Sequence, residues 1–179
     1  MLNLILILAA IAIIVFILAV AKQPSDFCIT RTGTMSAPAS VVFAQVNDLQ
    51  KWEAWSPWAK LDPNATNSFE GPASGIGASM SWSGNNKVGA GKMTIIESSP
   101  NDLIRFKLEF LKPFKATNTA EFTFKSAGNQ TTVTWSMTGT NNFMGKAMGL
   151  IMNCDKMVGG QFEQGLATMK SVAEAANTK

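Results

Sequence analysis

The amino-acid sequence predicts an α+β domain: a curved antiparallel sheet wrapped on a long C-terminal helix, with two short helices after strand 1, preceded by one transmembrane helix. Three observations predict it. Apolar and polar side chains alternate with period two through five successive runs in the middle of the chain, the pattern of an antiparallel sheet with one wet and one apolar face. From Asn142 to Ala176 apolar residues recur instead at three- and four-residue steps, which is the stripe of an amphipathic helix. The first twenty-one residues carry no charge at all.

Leu2 to Ala21 reads LNLILILAAIAIIVFILAVA, with Asn3 its only strongly polar side chain. About twenty helical residues span a hydrocarbon core of about 30 Å. A domain this small cannot surround so uniformly apolar a helix with protein. Residues 1–22 are therefore expected to be a single-pass N-terminal anchor that holds the protein at the membrane through residues 2–21, with 23–26 as linker and 27–179 as the folded domain. The competing reading is a cleaved signal peptide, because Ala19-Val20-Ala21 fits an A-x-A cleavage site. Against it, nothing basic precedes the apolar run, and the run exceeds the roughly 7–15 residues of a signal core. Lys22 and Arg31 follow the span, so the positive-inside tendency puts the domain on the cytoplasmic side. An exported domain is the alternative.

Phe27 to Met35 alternates loosely and reads as the first strand. Ser36-Ala37-Pro38 starts a helix, with Ser36 or Ala37 at the cap and Pro38 in the first turn; Val42, Phe43 and Val46 share one side of it. A second short helical or turn segment runs through Leu49, Trp52 and Trp55 to Trp58, broken at Pro57. Asp, Pro, Asn, Ser and Gly dominate from Leu61 to Gly77, a loop with room for a short strand at 67–70. Then come the clean alternations: Met80 and Trp82; Met93 and Ile95; Ile104, Phe106, Leu108 and Phe110; Ala120, Phe122 and Phe124; Val133, Trp135 and Met137. Gly84-Asn85-Asn86, Pro100-Asn101-Asp102 and Gly128-Asn129 supply the turns. One helix from Asn142 to Ala176, with Met144, Met148, Ile151, Met152, Val158, Phe162, Leu166, Met169 and Ala173 on its stripe, is the element left to cover the apolar face.

Composition narrows the function classes. The chain has no His, which removes the usual general base and the commonest zinc ligand. Its two cysteines, Cys28 and Cys154, lack CxxC spacing and are expected to be free thiols, a single bridge between them remaining open in an oxidising compartment. No metal site and no cofactor are expected. The net charge of +3 is scattered, with no basic stripe interleaved with aromatics, which argues against a nucleic-acid partner. Gly75-Ile76-Gly77 and Gly89-Ala90-Gly91 lack the third glycine and following helix of nucleotide loops and read as turns or strand kinks.

Val46-Asn47-Asp48 with Trp52, then Trp55-Ser56-Pro57-Trp58, Asp62-Pro63, Gly71-Pro72 with Gly75 and Gly77, and Ser81-Trp82 with Gly84 form one series of marks. Thr132-Val133-Thr134-Trp135, Asp155-Lys156-Met157-Val158-Gly159 and Phe162-Glu163 with Gly165-Leu166 form the second. On these residues the chain after the anchor resembles the polyketide cyclase/dehydrase-like group of the START-like (SRPBCC) superfamily. The resemblance implies a helix-grip fold around an apolar cavity and names no catalytic residue.

The expected ligand cavity is lined by Trp55, Trp58, Met80, Trp82, Met93, Phe106, Leu108, Phe110, Phe122, Trp135, Met137, Met144, Met148, Met152 and Phe162. Met80, Met93 and Met137 are expected to face Met144, Met148, Met152, Met157 and Met169 across the interior, and flexible thioethers suit a variable apolar guest. A filled core is the plain alternative, and packing of the short helices is the plain reading of Trp52, Trp55 and Trp58. Gly145, Gly149, Gly159, Gly160 and Gly165 in one helix imply close backbone approach or a helix that must flex. Glu70, Glu97, Glu109, Glu121 and Asp155 are the acids considered for proton transfer. Glu109 and Glu121 fall on the wet face as surface charges, while Asp155 and Glu163 lie on the long helix, where one buried beside apolar walls would have a raised pKa. The expected function is a membrane-anchored module for an apolar small molecule such as a lipid, isoprenoid or polyketide. A cyclase/dehydratase-like enzyme and a structural or interaction domain stand as alternatives.

Overall fold

The computed structural model describes residues 1–177, so the last two residues of the expected domain lie outside the described residues. Helix α1 (Leu2–Ala21) leads into strand β1 (Asp26–Met35). Helices α2 (Ala39–Asn47) and α3 (Trp52–Trp55) follow, with 3-10 turns at Leu49–Lys51 and Pro57–Lys60. Six more strands run in sequence: β2 (Thr66–Glu70), β3 (Ser79–Ser83), β4 (Ala90–Ser99), β5 (Leu103–Lys112), β6 (Ala116–Ala127) and β7 (Gln130–Thr140). Helices α4 (Phe143–Ile151) and α5 (Cys154–Asn177) end the chain.

The seven strands make one sheet in the order β1-β7-β6-β5-β4-β3-β2, every neighbouring pair antiparallel. Strands β2 to β7 are thus a meander, and β1 closes along β7 over its full ten residues. Hydroxyl pairs Thr32–Thr134 at 3.1 Å and Thr34–Thr132 at 3.2 Å stitch that closing pair on its wet face. The alternation holds as expected: Ile104 and Phe106, Ala120, Phe122 and Phe124, and Val133, Trp135 and Met137 are all buried. Register shifts between Ala90 and Gly91 and between Ile95 and Glu97 break the β4–β5 ladder, and such bulges bend the strand that carries them.

Two boundaries differ from the sequence expectation. Pro38 is not in the first turn of α2 but takes the cap position itself, with ψ 149° and its carbonyl accepting from Val41 and Val42 N–H. The single C-terminal helix expected over 142–176 is two helices. Met152 is extended (φ −125°, ψ 135°), and Asn153 restarts the chain by accepting the Lys156 N–H on its side chain at 2.9 Å and the Met157 N–H on its carbonyl. A side-chain oxygen at the cap satisfies one of the first-turn donors that a helix start leaves free. Helix α5 crosses the sheet on β1, α2 and α3, whereas α4 lies chiefly against α1.

Candidate functional site

The inner face of the sheet is filled at its centre. Trp52 and Trp55 reach in from α3, and their indole N–H groups donate to the carbonyls of Val46 and Gln45, both at 3.0 Å. These are last-turn carbonyls of α2, which otherwise have no partner within the helix. Trp135 lies between Phe122 (centroids 4.7 Å, 27°) and Phe162 (4.1 Å, 9°), and Trp58 meets both Trp135 and Phe162 edge-on. Trp52 contacts Phe106, Phe122 and Trp135 edge-on at 5.5–6.1 Å. The indole N–H of Trp135 is buried with no acceptor among the described residues.

The expected cavity residues therefore divide into three groups. Trp55, Met93, Phe106, Phe122, Trp135, Met137 and Phe162 belong to the buried core. Met80, Trp82, Leu108, Phe110 and Trp58 are half-buried. Trp82 is fixed by its N–H on the Val88 carbonyl at 3.3 Å and meets Phe110 edge-on at 5.8 Å. Gly91 leaves room for that ring: a Cβ there would stand 2.4 Å from the Trp82 indole. Met144, Met148 and Met152 belong to α4 and the residue after it. They do not line up with the sheet methionines as expected, because the break at Met152 turns α4 toward α1.

Two surface hollows stand apart from this face. An open trough of about 650 Å³ is lined chiefly by outward positions of β1 and β5–β7, among them Cys28, Lys107, Thr119 and Thr138. A cleft of about 300 Å³ lies between Leu49 and the Phe69–Ala73 segment. Sequence reasoning missed both, since nothing but threonines at outward positions marks the first.

The candidate acids are tied to cations. Arg31, on the inward face of β1, donates to Glu163 at 2.6 Å and to Asp155 at 3.0 Å, joining β1 to α5. Gly159 makes this possible, as its Cβ would fall 2.0 Å from the guanidinium. The hydrogen bond from Arg31 holds the Asp155 carboxyl below the usual carboxylate range, and the two carboxylates raise the Arg31 pKa further. Glu70 is likewise lowered by Lys92, 2.8 Å away. Glu97 and Glu121 both pair with Arg105, and Glu109 with Lys107 at 2.7 Å. The raised carboxyl pKa that proton transfer would use is not found at Asp155; the shift runs the other way. Both cysteines are free, and among the described residues no three His, Cys, Asp or Glu side chains group as a metal site.

Residues 26–174 match the family described as polyketide cyclase / dehydrase and lipid transport. The chain belongs to this family. Solved structures with the same fold include protein CV1439 from Chromobacterium violaceum, at 13% identity over 82% of this chain and 96% of that one, with a TM-score of 0.61. The Aha1 dimer of Colwellia psychrerythraea matches at 14% identity, 83% and 96% coverage and a TM-score of 0.60. The di-domain ARO/CYC protein BexL from the BE-7585A biosynthetic pathway matches at 18% identity over 87% of this chain and 52% of that one, with a TM-score of 0.61. At these identities the likeness is one of fold. A search of curated proteins returned no match. Two residues on which the resemblance rests fall on scaffold contacts: Gly165 against Trp135 and Pro57, and Gly84 against Asp62.

Proposed function

We propose that this protein is a membrane-anchored binding module for an apolar small molecule of the lipid, isoprenoid or polyketide kind. The observation that carries the reading is the half-buried inward wall of Met80, Trp82, Leu108 and Phe110, where the apolar face of β3 and β5 continues past the aromatic core. Burying about 200–300 Å² of ligand apolar surface there is worth about 5–8 kcal/mol before association costs. The family description includes lipid transport, which fits such a cargo. Anchoring is supported by α1, twenty residues with a mean hydropathy of 3.5 over its most apolar window.

Residues 23–179, purified without detergent, are examined by native mass spectrometry with solvent extraction. A co-purifying apolar molecule of defined mass is expected. Trp82→Ala with Phe110→Ala removes roughly 60–100 Å² of contact, about 1.5–2.5 kcal/mol, and weakens retention roughly 10–60-fold. A clean apo mass, with no uptake from a lipid and isoprenoid panel, refutes the proposal.

A further inference from the structure

The strand ends divide the domain into two chemically different ends. Antiparallel pairing brings the start of β1 (Asp26), the end of β7 (Thr140), the β5–β6 hairpin and the β3–β4 hairpin to the end from which α1 departs. Three connections at this end read Lys22-Gln-Pro-Ser, Gly84-Asn-Asn-Lys87-Val-Gly and Leu111-Lys-Pro-Phe-Lys115. None of these three contains an acid, nor does helix α4; the acids at this end are Asp26, which opens β1, and Asp62 in the loop before β2, which is buried and bonded to the Asn85 N–H. Lys22, Lys87, Lys112, Lys115 and, on α4, Lys146 form no ion pair among the described residues. At the opposite end the β4–β5 turn carries Asp102, and β2 ends on Glu70, which pairs with Lys92. Large apolar side chains sit exposed among these lysines: Leu111 at 56% and Phe114 at 53% on the hairpin tip, Phe143, Met144 and Ile151 on α4.

We infer that the β5–β6 hairpin tip and α4 form a second membrane contact, which seats this end of the domain on an anionic bilayer surface. The inference rests on the reading of α1 as an anchor. The tether makes the bilayer the fitting occupant. Four residues separate α1 from β1, α4 packs on α1, and the Asn141 N–H bonds the Ser25 carbonyl at 2.7 Å. The hairpin lies two to three strand spacings from β1, about 10–15 Å sideways, so it is held close to any membrane that α1 enters. Exposed aromatic and aliphatic residues flanked by lysines are the composition that settles at an anionic interface. So docked, the end of the sheet carrying Trp82 and Phe110 faces the bilayer, and an apolar guest passes between lipid and wall without crossing bulk water.

The test uses the full chain in a Cys28→Ser, Cys154→Ser background, reconstituted into phosphatidylcholine vesicles with and without phosphatidylglycerol. A bimane label is placed at Phe114→Cys, at Asn129→Cys on the opposite β6–β7 turn, or at Phe16→Cys within α1, and quenched by doxyl-labelled lipid. Quenching at position 114 is expected to exceed that at 129 at least about twofold in anionic vesicles, and to fall by a similar factor with Lys112→Glu and Lys115→Glu. If 16 is quenched but 114 matches 129, the anchor stands and the second contact is overturned. If 16 is also unquenched and the chain does not float with vesicles, the anchor reading fails and takes this inference with it. Protection at 114 that follows the protein-to-lipid ratio rather than the quencher assigns the face to a second copy of the chain and overturns the bilayer.

Discussion

The glycines of α5 offer a test in which intrinsic propensity and packing give opposite signs. Each glycine in a helix interior costs about 1 kcal/mol relative to alanine, so a purely local view has every Gly→Ala change in this helix stabilising. The structure separates them. A Cβ at Gly160 meets nothing within 4 Å, so Gly160→Ala realises the helix gain of about 1 kcal/mol. A Cβ at Gly165 would stand 2.9 Å from Cζ3 of Trp135 and 3.1 Å from Cδ of Pro57. Neither atom can yield easily, because the Trp135 ring is held between Phe122 and Phe162 and Pro57 is buried within its turn. Overpacking of this kind costs about 1–3 kcal/mol. Against the same helix gain, Gly165→Ala ends between neutral and about 2 kcal/mol less stable.

The two variants thus differ by about 1–3 kcal/mol, a gap of roughly 2–12 °C in Tm at about 2–4 °C per kcal/mol for a chain of this size. Thermal melts of the full chain in one mild detergent, followed by tryptophan fluorescence, read that gap. Equal rises for both variants would refute the close approach of α5 to Trp135. Equal falls would mean that the helix needs its glycines in order to flex, and the packing account would be wrong.

Other outcomes follow from single contacts. Asp62 is buried and accepts the Asn64 and Asn85 N–H groups at 3.0 and 2.6 Å; Asp62→Ala is expected to cost about 1.5–3 kcal/mol and to speed hydrogen exchange at the Asn85 amide, while unchanged protection there would discount the contact. The Asp155 carboxyl is held down by Arg31, so its contribution is fully present above the unfolded value of about 3.9 and is lost as pH falls through the lower folded value. From about pH 5 downward the wild-type Tm should therefore fall more steeply than that of Asp155→Asn, and parallel curves would count against the clamp. A retained anchor predicts a mature chain of 19.2 kDa that stays with membranes through alkaline carbonate; a mass short by residues 1–21 would identify a cleaved leader.

The sheet was legible because its signal is local. Period-two alternation puts Phe122 and Phe124 inside and Glu121 and Thr123 outside whatever the rest of the chain does. The break in the C-terminal helix was not read, since the apolar recurrence passes through Met148, Ile151 and Met152 without a change of period. The restart is marked only by Asn153 and by Asp155 in the first turn, a short polar cue against a long apolar one. The site was legible as a face but not as a surface. Alternation gives Phe106 and Phe110 the same status, yet Phe106 is covered and Phe110 is not. The difference is where Trp52 lands, and that depends on elements fifty residues apart in the chain. Arg31 reads in sequence as a charge beside the anchor; its partners lie 124 and 132 residues away.

Several of the residues on which the resemblance rests have structural roles in assembly. Gly159 admits the Arg31 guanidinium, Asp155 and Glu163 hold it, Phe162 stacks on Trp135, Gly165 lets that ring approach, and Leu166 lies on Gly33. Gly71 has φ +83° and a Cβ there would strike the Gly77 carbonyl at 2.4 Å, so these two glycines close the β2–β3 loop. These are scaffold roles, so a resemblance specific for fold says little about cargo. Trp82 is the exception. Its N–H and one face are fixed by Val88 and Gly91, while the rest of the ring stays half-buried on the inward wall. A side chain held rigid by the scaffold and left partly uncovered is prepared to bind at little further entropic cost, and it is at Trp82 that the chemistry of the guest should first be read.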